Sequence, residues 1–355
     1  MRNRRSHQLH RVVRRVSRAG NGPPSADGAR RRPELDWARL VELTSVLLAS
    51  VVAVLSLWFS HRQVDNQLRI SRDELSTTRE GQITERYTAA VGQLGEDSVD
   101  VRLGGIYALQ RNMEDFPRDH PTIANVLASY IRTHAASPPK GGKQVPPDVL
   151  AALDVISSRD SAHDGAFVPD LRSVHLPGAE LGWDPTSPVA AERNRAQLYR
   201  AILRRADLRN ADLSGADLWG ARLTGSNLAG ADLSRADLRK ATPALADLRG
   251  ADLAYATLRW ADLGASDLRG ASLWRTDLRG ADLYRAKLAG LALGETDLEG
   301  ADLSGADLTG ASVLPSQILA TRIDTKTKLP PALANDPGVR AHISQDEQRP
   351  VAPDR

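Results

Sequence analysis

From residue 197 to residue 313 a hydrophobic residue recurs at every fifth position. Between Leu198 and Val313 there are 24 such positions; 22 of them are Leu, and the departures are Pro243 and Val313 itself. A small residue, mostly Ala, stands two places before each position, and Asp most often stands between the two. A period of five fits neither an amphipathic helix nor a strand. It is typical of a solenoid, whose units bury their apolar sides by stacking on one another.

The repeated unit, A-D-L-x-x, closely resembles the repeat of the pentapeptide repeat family, and the segment ADLSGADLWG from Ala211 to Gly220 holds two clean copies. The resemblance implies a mainly β fold, a right-handed, four-sided β-helix in which four pentapeptides form one coil. Residues twenty apart would then lie over one another, about 4.8 Å apart. Leu would fill the axis, Ala would fit its narrow parts, and the other positions would face outward.

The repeat domain is expected to span residues 166–313. Leu171, Leu176 and Leu181 keep the five-residue step but are out of phase with Leu198, so residues 182–195 are predicted to form an inserted loop. Phe167 is a candidate plug for the first coil. Because exposed solenoid ends need caps, a short helix around Ser316 to Ala320 is expected to cap the other end within residues 314–334. Residues 335–355 are interpreted as a disordered tail.

Residues 1–36 form an Arg-rich arm that is predicted to be disordered, with ten Arg and one acidic residue before position 33. The repeats from Leu198 to Val313, in contrast, carry 15 basic and 16 acidic side chains. The arm is either a solvated tail that sets membrane orientation or a segment attracted to nucleic acid or anionic lipid. No aromatic residue is interleaved with its Arg residues, which disfavours a dedicated nucleic-acid site.

Residues 37–60 are predicted to form a single transmembrane helix, because the segment is apolar over nearly the length that spans a bilayer. Trp37, Trp58 and Phe59 stand where aromatic belts occur. A cleaved signal peptide is disfavoured by the long basic region, and a buried core helix is the remaining alternative. The positive-inside rule places the N-terminus in the cytoplasm of a membrane-anchored protein. Both flanks are basic, which leaves the side of the repeat domain open.

Residues 61–136 are predicted to form a helical adaptor, and residues 137–165 a linker plus a helix. The expected helices continue the anchor with a break near Gly81, cover Val101 to Phe116, run from His120 or Pro121 to His134, and start again at Pro147 or Asp148. The segment from Gly81 to Arg132 resembles the helical segment before the repeats of actinobacterial membrane-associated pentapeptide repeat proteins, as does the helix at 146–159. This resemblance implies an architecture and no activity.

Nothing in the sequence favours an enzyme. The chain has no Cys, no phosphate-binding loop and no nucleophile motif with triad partners. Its polar helical residues are interpreted as helix caps and ion pairs, such as Arg102 with an acidic partner, and His120 as a helix-start residue. His134, His163 and His175 lack the spacing of metal ligands. No cofactor or metal is therefore expected.

Large aromatic residues and Arg at outward repeat positions give a candidate interaction surface, because binding surfaces favour these side chains. The alternative is that the aromatic residues only cover backbone while Arg is solvated and neutralised by the Asp ladder. The candidate residues are Trp219, Arg239, Lys240, Tyr255, Arg259, Trp260, Trp274, Arg275 and Arg279.

The sequence therefore favours a membrane-anchored, non-enzymatic scaffold that binds an unidentified protein partner, with no nucleic acid expected and the oligomeric state open. The alternative, implied by the family resemblance, is a DNA mimic that binds a topoisomerase. A mimic needs a strongly negative surface. The near-neutral repeats disfavour it.

Overall fold

The computed structural model describes residues 37–139, 144–181 and 197–346. The chain divides into two units, Met1–Leu75 and Ser76–Arg355. The predicted basic arm and the predicted loop at 182–195 lie outside the described residues. The helices are α1 (Trp37–Gln93), α2 (Val99–Asp115), α3 (His120–His134), α4 (Pro147–Ser158), α5 (Pro315–Leu319), α6 (Pro331–Ala334) and α7 (Pro337–Asp346).

The described part of the first unit consists of helix α1, which continues into the second unit. Its segment Val41–Glu74 contains an 18-residue stretch of mean hydropathy 2.1, and none of that stretch is buried. Leu43 and Leu57, for example, are 70% and 71% exposed. This is one helix long and apolar enough to cross a membrane.

Helix α1 is continuous over 57 residues, so the predicted break near Gly81 is wrong. A single glycine inside a helix costs only about 1 kcal/mol relative to alanine. The residues around Gly81 are mostly good helix formers, and a Cβ at this glycine would meet no neighbouring atom. The helix therefore passes through this position.

Helices α2, α3 and α4 pack against one another at the start of the second unit, next to the last turns of α1. Their inward faces include Ile106, Leu109, Ile123 and Leu127, which are fully buried. Helix α2 approaches α1 closely at Gly105, where a Cβ would lie 2.7 Å from the carbonyl oxygen of Ala90. The start of α3 at His120 is also as predicted.

The helical group packs directly on the first coil of the repeats. The amide of His175 donates to the carbonyl of Ala135 at the end of α3 (2.8 Å), and Arg132 donates to Asp170. The amide of Gln197 donates to the carbonyl of Ser157 at the end of α4 (2.7 Å). The open edge of the first coil is therefore covered by helices, as a solenoid end requires.

In the repeats, residues twenty apart pair through parallel bridges, as Asp212 does with Asp232 and then Asp252. Four pentapeptides thus form each coil, and the rod has four faces. We number the faces from the Leu at their centres: face 1 begins with Leu198, face 2 with Leu203, face 3 with Leu208 and face 4 with Leu213. These Leu side chains are buried along the axis.

Each pentapeptide contributes one bridged residue and a two-residue turn, so the described residues contain isolated bridges and no strand. The expected mainly β fold is therefore corrected in one respect: the coils are held by a ladder of single bridges. The ladder is interrupted at Pro243, which has no N–H to donate to the carbonyl of Asp262. The equivalent bond from the amide of Leu238 to Thr257 is 2.8 Å long.

The first coil is longer than the others, since Asp170 pairs with Ile202 and His175 with Asp207, 32 residues apart. Leu171, Leu176 and Leu181 therefore belong to faces 2, 3 and 4. The additional residues fall between Leu181 and Gln197, where the sequence predicts an insertion.

The C-terminal end differs from the sequence prediction in two ways. The five-residue step does not end at Val313, because Ile318 in the capping helix α5 and then Ile323 still fill the axis and are fully buried. The disordered tail expected from residue 335 is wrong for α7, Pro337–Asp346. Its Val339 is buried against the end of the rod.

Candidate interaction surface

The nine predicted surface residues lie on two edges of the rod that border the same face. Edge A is the turn between faces 4 and 1, and edge B is the turn between faces 1 and 2. Tyr255, Trp274 and Arg275 belong to edge A. The residues on edge B are Trp219, Arg239, Lys240, Arg259, Trp260 and Arg279. Because the chain makes one full circuit every twenty residues, positions far apart in sequence are brought to one side.

Edge A contains an aromatic pair that is flanked by two cations. The rings of Tyr255 and Trp274 meet edge to face, with centroids 4.8 Å apart. The guanidinium of Arg275 lies 5.0 Å from the Trp274 ring, and that of Arg235 lies 5.7 Å from the Tyr255 ring. Both distances permit cation–π attraction. Arg235 is not among the nine predicted residues. Its position twenty residues before Tyr255 nevertheless places it in the same column of edge A.

Edge B contains a second aromatic group. Tyr199 stacks on Trp219 with the ring planes 8° apart and the centroids at 5.0 Å, and Lys240 Nζ lies 5.8 Å from the Trp219 ring. One coil further, the guanidinium of Arg259 lies 4.9 Å from the Trp260 ring. Tyr199 is the second surface residue that the sequence-based set omits.

Four of the candidate residues occupy a backbone conformation that favours glycine. Lys240, Tyr255, Trp260 and Arg275 have φ values of 57°, 59°, 56° and 53° at the second turn position. Most other repeats place Gly there, as at Gly280. A non-glycine residue in the left-handed region costs about 1–2 kcal/mol. The bulky side chains on edges A and B are therefore present despite a local cost to folding.

Arg239 and Arg279 differ from the other candidate cations because each forms an ion pair within its own pentapeptide. All six D-L-R tripeptides join the Asp carboxylate to the Arg two residues later through side-chain hydrogen bonds: Asp170–Arg172, Asp207–Arg209, Asp237–Arg239, Asp247–Arg249, Asp267–Arg269 and Asp277–Arg279. The Arg269 hydrogen bonds lower the pKa of Asp267 to about 2. These Arg residues are largely neutralised.

Of the cations described beside the aromatic groups of edges A and B, three lack such a partner. Within the described ranges, no carboxylate lies within 4.0 Å of Arg235, Lys240 or Arg275. Arg259 is intermediate, because its Nε lies 3.7 Å from an Asp277 oxygen without forming a hydrogen bond. The unpaired positive charge on this side of the rod is thus concentrated beside the aromatic rings.

The acidic residues without D-L-R partners form columns on other faces. Asp212, Asp232 and Asp252 stack on face 4, and a second group of three stacks on face 2: Asp262, Asp282 and Asp302. Burial raises the pKa of Asp282, and the charges of Asp262 and Asp302 above and below raise it further. The near-neutral total charge of the repeats therefore hides local negative columns.

The helical end of the rod holds two buried ion-pair networks that pack the structure together. Arg102 donates to Asp148 (2.7 Å) and to the hydroxyl of Tyr130 (3.0 Å), which confirms the predicted acidic partner of Arg102. Burial raises the pKa of Tyr130, and the Asp148 carboxylate raises it further. Arg159 forms two hydrogen bonds with Asp164 and reaches the carbonyl of Gln197 (2.6 Å).

His120, the first residue of α3, is buried, and its Nδ1 lies 3.5 Å from the Asp164 carboxylate. Burial lowers the pKa of His120 most strongly; Asp164 opposes this shift, and Arg159 adds to it. In the part of the chain that the structure describes, no group of three or more His, Asp or Glu residues could hold a metal ion.

Comparisons with known proteins agree with the repeat pattern. The family model for pentapeptide repeats matches eight copies, over residues 194–228, 226–264, 261–300 and 281–313. No curated protein matches the chain.

Solved structures that are similar to this chain include two pentapeptide repeat proteins. One, from the thylakoid lumen of Arabidopsis thaliana, is 35% identical; the match covers 24% of this chain and 59% of that one, with a TM-score of 0.23. One from a Nostoc strain is 33% identical over 37% of this chain and 81% of that one, with a TM-score of 0.21.

A third similar structure is a trypsin-treated variant of QnrB1, a plasmid-mediated fluoroquinolone resistance protein. It is 20% identical over 52% of this chain and 83% of that one, with a TM-score of 0.28. The present chain thus spans less than two thirds of the Arabidopsis protein but most of the other two.

Proposed function

The chain belongs to the pentapeptide repeat family, whose members form right-handed β-helix rods of a protein-interaction type, and we propose that it is a membrane-anchored, non-enzymatic module that presents edges A and B to a protein partner. No catalytic family is indicated by the comparisons. Its N-terminal helix is the proposed anchor, and its repeats are the proposed recognition element.

The clustering of exposed aromatic residues beside Arg and Lys side chains is the observation that carries this proposal. Trp260, Trp274 and Tyr255 are 56%, 46% and 41% exposed, although large aromatic residues usually bury most of their surface. Tyr255 and Trp260 also occupy left-handed backbone positions. Side chains that cost stability and remain exposed are typical of residues kept for binding.

Helix α1 supports the membrane part of the proposal, because its apolar side chains at 41–59 are accessible along their whole length. Membrane fractionation tests this part. We expect the full chain to remain in the membrane pellet after alkaline carbonate washing and a Leu47→Arg/Val51→Arg variant to be released. Release of the unchanged chain would contradict the anchor.

Photo-crosslinking tests the interaction surface. We place p-benzoylphenylalanine at position 254 on edge A or, as a matched control, at position 229 on the turn after face 3. Both positions are Ala at the first residue of a turn and are partly exposed. We expect an adduct in intact cells only from position 254, and its loss when Tyr255 and Trp274 are replaced by Ala. Equal adducts from both positions would contradict the proposed surface.

A second candidate function is topoisomerase binding by DNA mimicry. The acidic columns on faces 2 and 4 favour it, because a protein that imitates DNA presents regularly spaced negative charge. Neither the family match nor the likeness to QnrB1 decides between the two functions. Inhibition of gyrase supercoiling by the full chain, lost when Asp262, Asp282 and Asp302 become Asn, would favour mimicry.

A further inference from the structure

Edge A places two cations at equivalent positions of alternate coils. Arg235, Tyr255 and Arg275 form one column, and backbone hydrogen bonds from Arg235 to Ala254 and from Tyr255 to Trp274, each 2.9 Å, hold its coils together. At about 4.8 Å per coil, the two Arg backbones lie about 9.6 Å apart. Glu295 follows in the same column, so the pair of cations ends at Arg275.

The surface between the two cations is aromatic. Tyr255 and Trp274 present their exposed rings there, and each ring lies beside one of the guanidinium groups. Among the described residues, no carboxylate within 4.0 Å neutralises either Arg, whereas the Arg residues of D-L-R tripeptides are paired. A ligand for this edge therefore needs two negative groups on one side and flat apolar groups between them.

Chain conformations differ in how they space such groups. A polyproline II helix has three residues per turn and a rise of about 3.1 Å, so residues i and i+3 face the same side about 9.3 Å apart. This is close to the two-coil separation of the Arg235 and Arg275 backbones. Alternate residues of a strand lie only about 6.6–6.8 Å apart on one face. Pro rings of polyproline II segments also dock on aromatic surfaces.

Resting on the proposed function, the geometry points to a partner of defined chemistry: we propose that edge A binds an acidic, proline-rich segment of a protein in polyproline II conformation, with carboxylates at i and i+3. The carboxylates pair with Arg235 and Arg275. Of the two intervening residues, both Pro in the best ligand, one lies on Tyr255 and Trp274 and the other faces solvent.

Fluorescence anisotropy with labelled peptides tests this proposal on the full chain in detergent micelles. The ligand is the peptide EPPEPPE. The comparison peptides are EPEPEPE and EPPPEPPPE, which change the carboxylate spacing, QPPQPPQ, which removes the charge, and EGGEGGE, which removes the polyproline II preference. We expect EPPEPPE to bind more tightly than all four, with an affinity that falls as salt screens the exposed ion pairs.

Substitutions locate the site. We expect Arg235→Gln/Arg275→Gln to weaken EPPEPPE binding about tenfold, because two exposed ion pairs of about threefold each are lost. Gln keeps the unbranched stem of Arg up to Cδ and replaces one non-glycine residue by another at the same left-handed position, so the coil is expected to remain folded. The matched control, Arg249→Gln/Arg269→Gln, removes the same charge from face 3 and should leave binding unchanged.

Several results would overturn the proposal: equal binding of the spacing variants, equal loss in the two double variants, or tighter binding of oligo-dT or phosphatidylserine vesicles than of EPPEPPE. These outcomes remain distinct from failure of the proposed function. A crosslinked partner at position 254 together with no preference for EPPEPPE would retain the interaction surface and reject the polyproline II ligand.

Discussion

The indole of Trp260 lies across Gly280 of the following coil. A Cβ built at Gly280 would be 2.8 Å from Trp260 Cδ1 and 2.9 Å from Nε1, and Gly280 has φ +64°. The glycine thus allows the positive φ of the turn and leaves the space that the indole occupies. A turn glycine of the rod therefore determines how a side chain of the candidate surface packs.

Replacing Gly280 by Ala should displace the Trp260 indole as well as strain the turn. Gly300→Ala is a matched control, since Gly300 has φ +69° but its Cβ would meet only the Gly280 amide, at 4.0 Å. We expect each variant to lose about 1–2 kcal/mol of unfolding free energy from the turn. Only Gly280→Ala should also change tryptophan fluorescence. Identical fluorescence changes in both variants would contradict the packing.

Replacing Pro243 by Leu should repair the weakest point of the ladder. The substitution restores the N–H that can donate to the carbonyl of Asp262 and lengthens the buried side chain. We expect the free energy of unfolding to rise by about 1–3 kcal/mol, from one hydrogen bond and added apolar burial. Urea unfolding and slowed hydrogen exchange of the new amide measure it. Pro243→Ala separates the contributions, because it restores the hydrogen bond without adding apolar burial.

Gln317 in α5 caps the last coil, and its removal should loosen that end. Its Nε2 donates to the carbonyls of Leu293 and Thr296, each at 2.7 Å, and its Oε1 accepts from the amide of Leu314. We expect Gln317→Ala to cost about 1–3 kcal/mol, because these backbone groups lose their partners. Faster hydrogen exchange over residues 291–313 is the measurement.

The neighbouring exposed Ser316 provides a control for this cap. Ser316→Ala should leave exchange in the last coil unchanged. Gln317→Glu retains the acceptor for Leu314 but not the two donors, so most of the loss should persist. A Gln317→Glu variant as stable as the unchanged protein would show that the carbonyls do not need the cap.

Acid should destabilise the helical end through His120. Its folded-state pKa lies below the ordinary 6.5, so the unfolded chain binds the proton more readily. Above pH 6.5 the imidazole is neutral in both the folded and the unfolded chain, so it does not lower the free energy of unfolding. As the pH falls from 6.5 towards the folded-state pKa, the unfolded chain takes up the proton first, and the free energy of unfolding decreases. We expect the urea midpoint to decline between pH 7.5 and 5.5, and His120→Gln to flatten this decline.

The other charged groups around His120 are Arg159, Asp160, His163 and Asp164. His134→Gln is the control, because His134 is exposed at the end of α3 and should leave the decline unchanged. If the His120→Gln variant shows the same decline as the unchanged chain, another group is responsible.

The sequence alone predicts those helices whose hydrophobic pattern and end residues lie within the helix itself. Helices α2, α3 and α4 were predicted to within two residues, because their apolar periodicity and flanking Pro residues agree. Helix α7 was missed because its residues are mostly polar and its order depends on tertiary contacts. Val339 packs on the rod, and His342 Nε2 lies 2.7 Å from the carbonyl oxygen of Thr321.

The candidate surface was predictable in position but not in charge. The twenty-residue circuit predicts that Trp219 and Trp260 lie two coils apart on one edge. Which cations are unpaired could not be read from that spacing. It depends on whether Asp two residues earlier accepts the guanidinium, as Asp237 does for Arg239 and as no described carboxylate does for Lys240.

The pairing of residues twenty apart makes chain length a determinant of the surface. Loss of a single pentapeptide between Trp219 and Trp260 would rotate every later side chain by a quarter turn, and Trp260 would move from edge B to edge A. Loss of twenty residues would shorten the rod and leave both edges on the same sides. The rod can therefore gain or lose whole coils without moving its binding edges, whereas each smaller change in repeat number assembles a different surface from the same side chains.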